Sequence, residues 1–260
     1  ASTNGRQEPF TYGSLPGKQI FLVKPDGNAQ KSLQSQGQPA VDREALQGQA
    51  AINHALLSWR VAGRIAAFDS GEYALPFNTF SSFFNYPVMS MADTTLRSEA
   101  DYRALQQRIM AMPDYFAQHA DNMRRGINEG KVMPRVVVAK VLKTIEAQVY
   151  PTPQDNPLWQ RVRNYPDTFS ADLQAALDDG LSMALEKGFK RAFSELANFM
   201  RNEYLPASRD SVGASAMTDG DAYYRAQILQ YVTSDKYSAD DIHAIGLREV
   251  ARIRAEMEEV

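Results

Sequence analysis

The sequence predicts an all-α protein, mainly long antiparallel helices, with a loop-rich N-terminal segment, and three observations carry that prediction. From Pro39 onward, apolar residues recur mostly at three- and four-residue steps, the period of helices with one wet face. Two Ser-x-x-acid signatures, Ser98-Glu99-Ala100-Asp101 and Ser238-Ala239-Asp240-Asp241, have the form of capping boxes. Turn formers are lopsided: residues 1–39 hold five Gly and four Pro, about 23%, against about 9% for residues 40–260. A loop-rich segment over 1–40 and a helical domain over 41–260 follow.

Within the first segment, Gln19-Ile20-Phe21-Leu22-Val23 closed by Pro25-Asp26-Gly27 allows a strand or short hairpin. Residues 42–68 then run from Asp42 to Phe68 without Pro, with Leu46, Ala50, Ile52, Leu56, Trp59, Val61 and Ile65 recurring at mostly three- and four-residue steps. Residues 73–93 break the pattern: Phe77, Phe80, Phe83, Phe84 and Tyr86 crowd into ten residues with no clean period. Ser98 opens a helix expected to reach Asn128 with an interruption near Pro113. Pro134 suits a first helical turn. Val136-Val137-Val138 locally favours a strand, but Val137, Val141 and Ile145 make a helical face with Lys140, Lys143 and Glu146 opposite, so helix is the better reading.

A connector follows, marked by Pro151, Pro153, Pro157 and Pro166. Ser170 to Tyr204 is the clearest helix, its stripe being Leu173, Leu177, Leu181, Leu185, Phe189, Phe193, Leu196 and Met200. At 1.5 Å per residue it should measure roughly 45–50 Å. Gly180 and Gly188 in its interior are read as close-packing positions, and Leu205-Pro206 as its stop. A helix from Ala222 to Val232 and a last one opened by Ser238 complete the chain. That last helix is still in amphipathic stride at Val260, with no Gly, Pro or capping residue to end it. The expectation is that the natural chain continues. Ala1, in place of Met, fits a processed export signal, a cloning boundary or a proteolytic cut.

Composition excludes several functions. Of 260 residues, 44% are hydrophobic and 23% charged, with a net charge of −3, which gives no electrostatic reason to expect nucleic acid. No run approaches 18 apolar residues, so no transmembrane segment is expected. Zero cysteines remove disulfides, thiolate zinc sites, iron–sulfur ligation and Cys nucleophiles. His54, His119 and His243 are each followed by Ala, fall in separate helices and lie in no His-Glu-x-x-His. Gly213-Ala214-Ser215-Ala216-Met217 lacks the second Gly of a nucleophile elbow. Asp219-Gly220-Asp221 starts like a calcium loop, but its twelfth position is Gln230. Asp178-Asp179 and Glu258-Glu259 read as solvated pairs. No catalytic residue and no metal ligand is therefore assigned.

Two segments remain. Phe80 and Tyr86, within the Phe77–Tyr86 stretch, suit a groove wall or lid, against the alternative of a loop plugged into the core. Arg209, Tyr223, Tyr224 and Arg225 suit a carboxylate-gripping, substrate-binding surface, against the alternative of an internal Arg–Asp pair with helix packing.

Those same residues carry a resemblance. Pro134-Arg135-Val136-Val137-Val138, Asn156-Pro157, Glu203-Tyr204-Leu205-Pro206-Ala207-Ser208-Arg209-Asp210 with Gly213, Tyr223-Tyr224-Arg225, and Ile242-His243-Ala244-Ile245-Gly246-Leu247-Arg248-Glu249-Val250-Ala251-Arg252-Ile253 resemble the bacterial domain-of-unknown-function family eight-eight-five, over roughly Tyr73 to Val260. The resemblance implies a mostly helical protein about twice this length, an envelope or periplasmic lipoprotein, akin to zinc metallopeptidases of the His-Glu-x-x-His class. In that family the zinc segment lies downstream of the Gly-Leu-x-Glu-Val helix, which here ends at Val260. No cofactor is thus implied for this chain itself, zinc being implied only for a full-length protein. The implied role is the non-catalytic N-terminal half of such a hydrolase, forming a cleft wall for a peptide. The alternative is a free-standing helical binding protein of the cell envelope. The expected partners are a peptide ligand and either an absent C-terminal half or a second copy, meeting an apolar surface over residues 205–260.

Overall fold

The computed structural model describes residues 43–232, 234 and 236–259, and the chain divides into two compact units, residues 1–56 and 57–260. The expected strand at 19–23, the whole of the 1–40 segment and Val260 lie outside the described residues. In the first unit, a turn at 43–45 leads into helix α1 (Gly48–Asp69), which continues into the second unit. The helix begins six residues later than the Asp42 expected. Gly48, at φ +55°, takes the left-handed conformation that glycine adopts without strain.

All other described elements belong to the second unit. A 3-10 turn at Glu72–Ala74 leads to α2 (Asn85–Ala92), α3 (Glu99–Met110), α4 (Met112–Glu129) and α5 (Arg135–Glu146). A second 3-10 turn (Pro153–Asp155) and the short α6 (Pro157–Val162) fill the connector. Then come α7 (Ala171–Ala184), α8 (Arg191–Phe199), α9 (Leu205–Ala207), α10 (Gly220–Val232) and α11 (Ala239–Glu258). Among the described residues there is no strand ladder, only the isolated bridges Phe77–Ser82 and Pro134–Arg209. The fold is all-α.

Local chemistry fixes the helix ends. Ser98 accepts from the Asp101 N–H while the Asp101 carboxylate takes the Ser98 N–H at 2.9 Å, a complete capping box. Ser238 and Asp241 repeat it, with the Ser238 N–H donating to Asp241 at 2.9 Å. The predicted interruption near Pro113 is a break at Ala111, with Pro113 in the first turn of α4, where its missing N–H leaves no gap. Asn156 is buried and caps Leu158 at 2.9 Å. The triple valine is helical, and Val138, Val141, Leu142 and Ile145 are its buried side. Helix α2 went unforeseen, since Pro87 and the aromatics around it hide its period.

The Ser170–Tyr204 stripe is a continuous helical rod containing two π segments, Leu185–Lys190 and Met200–Tyr204. The reason lies in the spacing. Each four-residue step overshoots one α-helical turn by about 40°. The five consecutive steps from Leu173 to Phe193 would carry the stripe about 200° around the axis. The wider π turn takes up that excess, and Leu177, Leu181, Leu185, Phe189, Phe193, Leu196 and Met200 all stay buried. Around this rod pack α3 on α7, and α4 and α5 on α8. Gly188 sits where α3 meets α4, so close that an added Cβ would strike the Ile109 carbonyl. Phe193 centres an aromatic core, 4.7 Å from Phe189, 5.1 Å from Phe116 and 6.2 Å from Phe84 between ring centroids.

Candidate functional site

The motif residues converge at the C-terminal end of the rod, where two distant segments are clasped together. Tyr204, fully buried on the second π segment, accepts a hydrogen bond from the Met133 N–H at 3.0 Å. The Arg209 N–H donates to the Met133 carbonyl at 3.3 Å, and the Arg135 N–H donates to the Arg209 carbonyl at 2.7 Å. Arg135 then closes the helix end. Its guanidinium donates to the carbonyls of Leu205 (3.1 Å) and Ser208 (3.3 Å) and pairs with the Asp210 carboxylate at 2.9 Å. Carbonyls at a helix C-terminus lack intrahelical donors, and a cation there satisfies them and complements the dipole.

Arg209 is occupied in the same way. Its Nε donates to the Val132 carbonyl at 2.9 Å, and its Nη1 to the carbonyls of Ser211 and Gly213, both at 2.6 Å. Burial lowers its pKa, while the neighbouring Tyr204 and Tyr223 hydroxyls work the other way. Burial pushes Tyr204 up to about 12. Tyr223 is half-buried on α10 and also raised, first by burial and then by Glu72. The Arg–Asp pair of this region is therefore Arg135–Asp210, with Arg209 holding backbone carbonyls.

Of the six sequence-predicted site residues, the structure brings Arg209 and Tyr223 together beside Tyr204. Tyr224 (49% exposed) and Arg225 lie on the outer side of α10, facing water. Phe80 and Tyr86 belong to another segment. Phe77, Phe83 and Phe84 are buried, whereas Phe80 is 95% exposed and Tyr86 47%. The aromatic stretch is thus a core plug with two residues left outside. It touches the clasp at one point, where the Phe77 ring packs edge-on against Tyr204 with centroids 5.4 Å apart. The turn bearing Phe80 is fastened by Asn78, whose Oδ1 accepts from the N–H groups of Phe80 and Ser81, each at 2.7 Å.

Sequence reasoning missed two further arrangements. Lys131 reaches Glu129 (3.4 Å) and Asp219 (3.5 Å), joining the end of α4 to the loop before α10. Asp178, read as solvated, takes a two-point grip from Arg163 (2.8 and 2.9 Å) and a hydrogen bond from the Tyr165 hydroxyl (2.7 Å). Burial and that hydrogen bond raise Tyr165 well above the ordinary phenol range, while Arg163 and Tyr165 hold Asp178 below the usual carboxylate value against its own burial. The Arg-x-Tyr pair fifteen and thirteen residues before Asp178 was the available signal. Among the described residues, no group of three or more His, Cys, Asp or Glu side chains is placed to hold a metal ion.

Runs of exposed apolar side chains are carried by two helices, α1, with Ile52, Leu56, Leu57, Val61, Ile65 and Phe68, and α11. On α11 no residue is buried, and Ile245, Leu247, Val250, Ile253 and Met257 are 36–73% exposed. Among the described residues, no helix is long and apolar enough to cross a membrane.

A helical rod clasped at one end, with Arg135 and Arg209 spent mainly on backbone carbonyls, defines an all-α domain. The chain belongs to the family described as bacterial protein of unknown function (DUF885), which it matches over residues 27–260. That match begins well before Tyr73, where the motif resemblance starts. The crystal structure of a candidate lipoprotein from Colwellia psychrerythraea has a similar fold, with a TM-score of 0.65 at 19% identity over 70% of this chain and 32% of that one. This chain therefore corresponds to about a third of that relative's length. No curated protein matches the chain.

Proposed function

We propose that this chain is the N-terminal, non-catalytic part of a larger zinc-peptidase-like protein of the bacterial cell envelope, forming one wall of its peptide cleft. The observation that carries the reading is α11, a 20-residue amphipathic helix with no buried residue. An apolar face of that size in water is a docking surface waiting for its counterpart. Family membership and the longer lipoprotein relative support a counterpart within the same polypeptide. The peptidase character rests on the motif resemblance described above.

In this reading the clasp does not touch substrate. It fixes the end of the rod and sets the direction of α10, whose exposed Tyr224 and Arg225 present an aromatic body and a cation to a peptide. The test is to read the gene downstream of Val260 and assay both lengths of protein. A coding region running on into a His-Glu-x-x-His segment, with chelator-sensitive peptide hydrolysis by the long form only, is the expected result. A stop codon after Val260, or zinc-dependent turnover by the 260-residue chain, refutes it.

A further inference from the structure

Helix α1 turns its small residues inward and its large ones outward. In the part that belongs to the second unit, residues 57–69, Gly63 and Ala67 are buried, whereas Leu57 is 64% exposed, Val61 42%, Ile65 36% and Phe68 38%. At about 100° per residue those four large side chains fall within an arc of about 80°, on the side of the helix away from Gly63 and Ala67. A surface helix ordinarily does the reverse and buries its large apolar stripe. The end of the stripe is held in place, since the Phe68 ring lies 5.2 Å from that of Tyr73, whose hydroxyl donates to Glu129 at 3.3 Å. The helix is packed on one side and apolar on the other.

The charges beside the stripe say what fits there. With Val61 and Phe68 at d and Ile65 at a of a heptad, Leu57 and Arg64 stand at g, and Ala62 and Asp69 at e. Arg64 and Asp69 are five residues apart, so they are not neighbours on their own helix. Neither has an ion-pair partner among the described residues. In a parallel helix pair, g of one helix meets e of the following heptad on the other. Arg64 then meets Asp69 of a second copy, twice by symmetry, with Leu57 beside Ala62 in the same way. In an antiparallel pair g meets g, and Arg64 faces Arg64 of the second copy. The stripe matches itself in one orientation and repels itself in the other.

We infer that α1 is a self-association surface, on which a second copy of this chain docks its own α1 in parallel about a two-fold axis. The inference goes beyond the peptidase reading, which gives α1 no role, and it makes no use of α11. Four apolar residues per copy form a small contact, ended at Ser58, the preceding a position. Association is therefore weak and reversible, with a dissociation constant on the order of 100 μM.

The test is sedimentation equilibrium of the 260-residue chain at low salt, from micromolar to millimolar protein. The expected result is a monomer–dimer equilibrium weakened about tenfold by Val61→Ser. Arg64→Glu and Asp69→Arg should each weaken it about fivefold, less so in high salt. Mixing those two charge variants restores opposite charges at both flanks and should return the affinity to that of the parent. The chain has no cysteine, so single-cysteine variants report the orientation. Val61→Cys and Ile65→Cys should each cross-link to itself on mild oxidation, whereas an antiparallel pair brings at most one of these positions face to face. Ile253→Ser on α11 should associate as the parent does. A parent chain that stays monomeric throughout, association unaltered by Val61→Ser, no rescue on mixing, failure of either cysteine variant to cross-link, or loss of association in Ile253→Ser would each overturn the inference.

Discussion

The Met133 backbone N–H donates to the hydroxyl of Tyr204 at 3.0 Å, joining residues 71 apart in sequence, and the same phenol ring is buried against Phe77. One side chain thus ties three segments: the α4–α5 loop, the end of the rod and the aromatic plug. Removing only the hydroxyl strands the Met133 donor. Tyr204→Phe should therefore cost about 1–2 kcal/mol in a urea melt. Tyr204→Ala, which also empties a fully buried ring site, should cost about 3–5 kcal/mol. Equal losses for the two variants would mean that the hydrogen bond contributes nothing.

The parts of this architecture that were legible are those written in side chains close together in sequence. Both serine capping boxes, the proline-bounded helix starts and the stripe from Leu173 to Met200 were read directly, because cap and period are local properties. The first π segment left a trace there too, in five uninterrupted four-residue steps that a plain α-helix cannot keep on one face, whereas the second lies beyond those steps. The clasp was not legible. Arg135 and Arg209 spend their guanidinium groups mainly on carbonyls of Leu205, Ser208, Val132, Ser211 and Gly213, and every residue type carries a carbonyl. A residue pattern can suggest that an arginine has a partner. It cannot reveal that the partner is backbone 70 positions away.

Three of the helical glycines, Gly188, Gly180 and Gly246, should separate cleanly on substitution by alanine. A Cβ at Gly188 meets the Ile109 carbonyl and Met110 Cα, which are backbone and cannot step aside. At Gly180 it meets the end of the Gln106 side chain, which can swing away at the expense of its 2.9 Å bond to the Leu177 carbonyl. At Gly246 it meets nothing within 4 Å. Gly188→Ala should lose about 2 kcal/mol or more and loosen the α3–α4 junction. Gly180→Ala should fall near neutral. In Gly246→Ala the helix propensity of α11 should gain up to about 1 kcal/mol, read as increased helicity by circular dichroism. A reversed order of Gly188 and Gly180 would show that the rod is not packed on the Ile109–Met110 backbone.

Helix α11 holds no buried residue, so its stability rests on its capping box and on the Arg252 pairs with Glu249 (2.9 Å) and Glu256 (2.6 Å). Exposed pairs of this kind add only a few tenths of a kcal/mol each, and an uncovered helix of this length is marginal. Its amides should accordingly exchange with solvent orders of magnitude faster than those of α8. Ser238→Ala should speed them a further fivefold or so, while leaving the global melt unmoved. Protection of α11 matching that of α8 would show that the helix is covered in solution. A dilution series would then tell a second copy from an intramolecular partner.

His119 provides a pH signature. Its ring stacks on Phe83 at 4.2 Å and meets Tyr115 edge-on at 4.8 Å, and its Nδ1 atom is buried without a hydrogen-bond partner. Burial lowers its pKa from 6.5 to about 4, because the aromatic surroundings cannot solvate the imidazolium. The fold therefore prefers the neutral ring. Above pH 6.5 both folded and unfolded chains carry it neutral, and the contribution is complete. As the pH falls below 6.5 the unfolded chain binds the proton first, and stability drains away until the folded ring protonates near pH 4. The whole effect is on the order of 3 kcal/mol. The lowered carboxyls of Asp101, Asp178, Glu203 and Asp241 lose their contributions only from about pH 4.5 downward, so the two windows separate. Urea midpoints measured between pH 7 and pH 5 should fall steadily in the parent protein. They should stay nearly level in His119→Phe, which keeps the stack and cannot titrate. A parent protein with a flat profile over that interval would place the imidazole in water, outside the aromatic core.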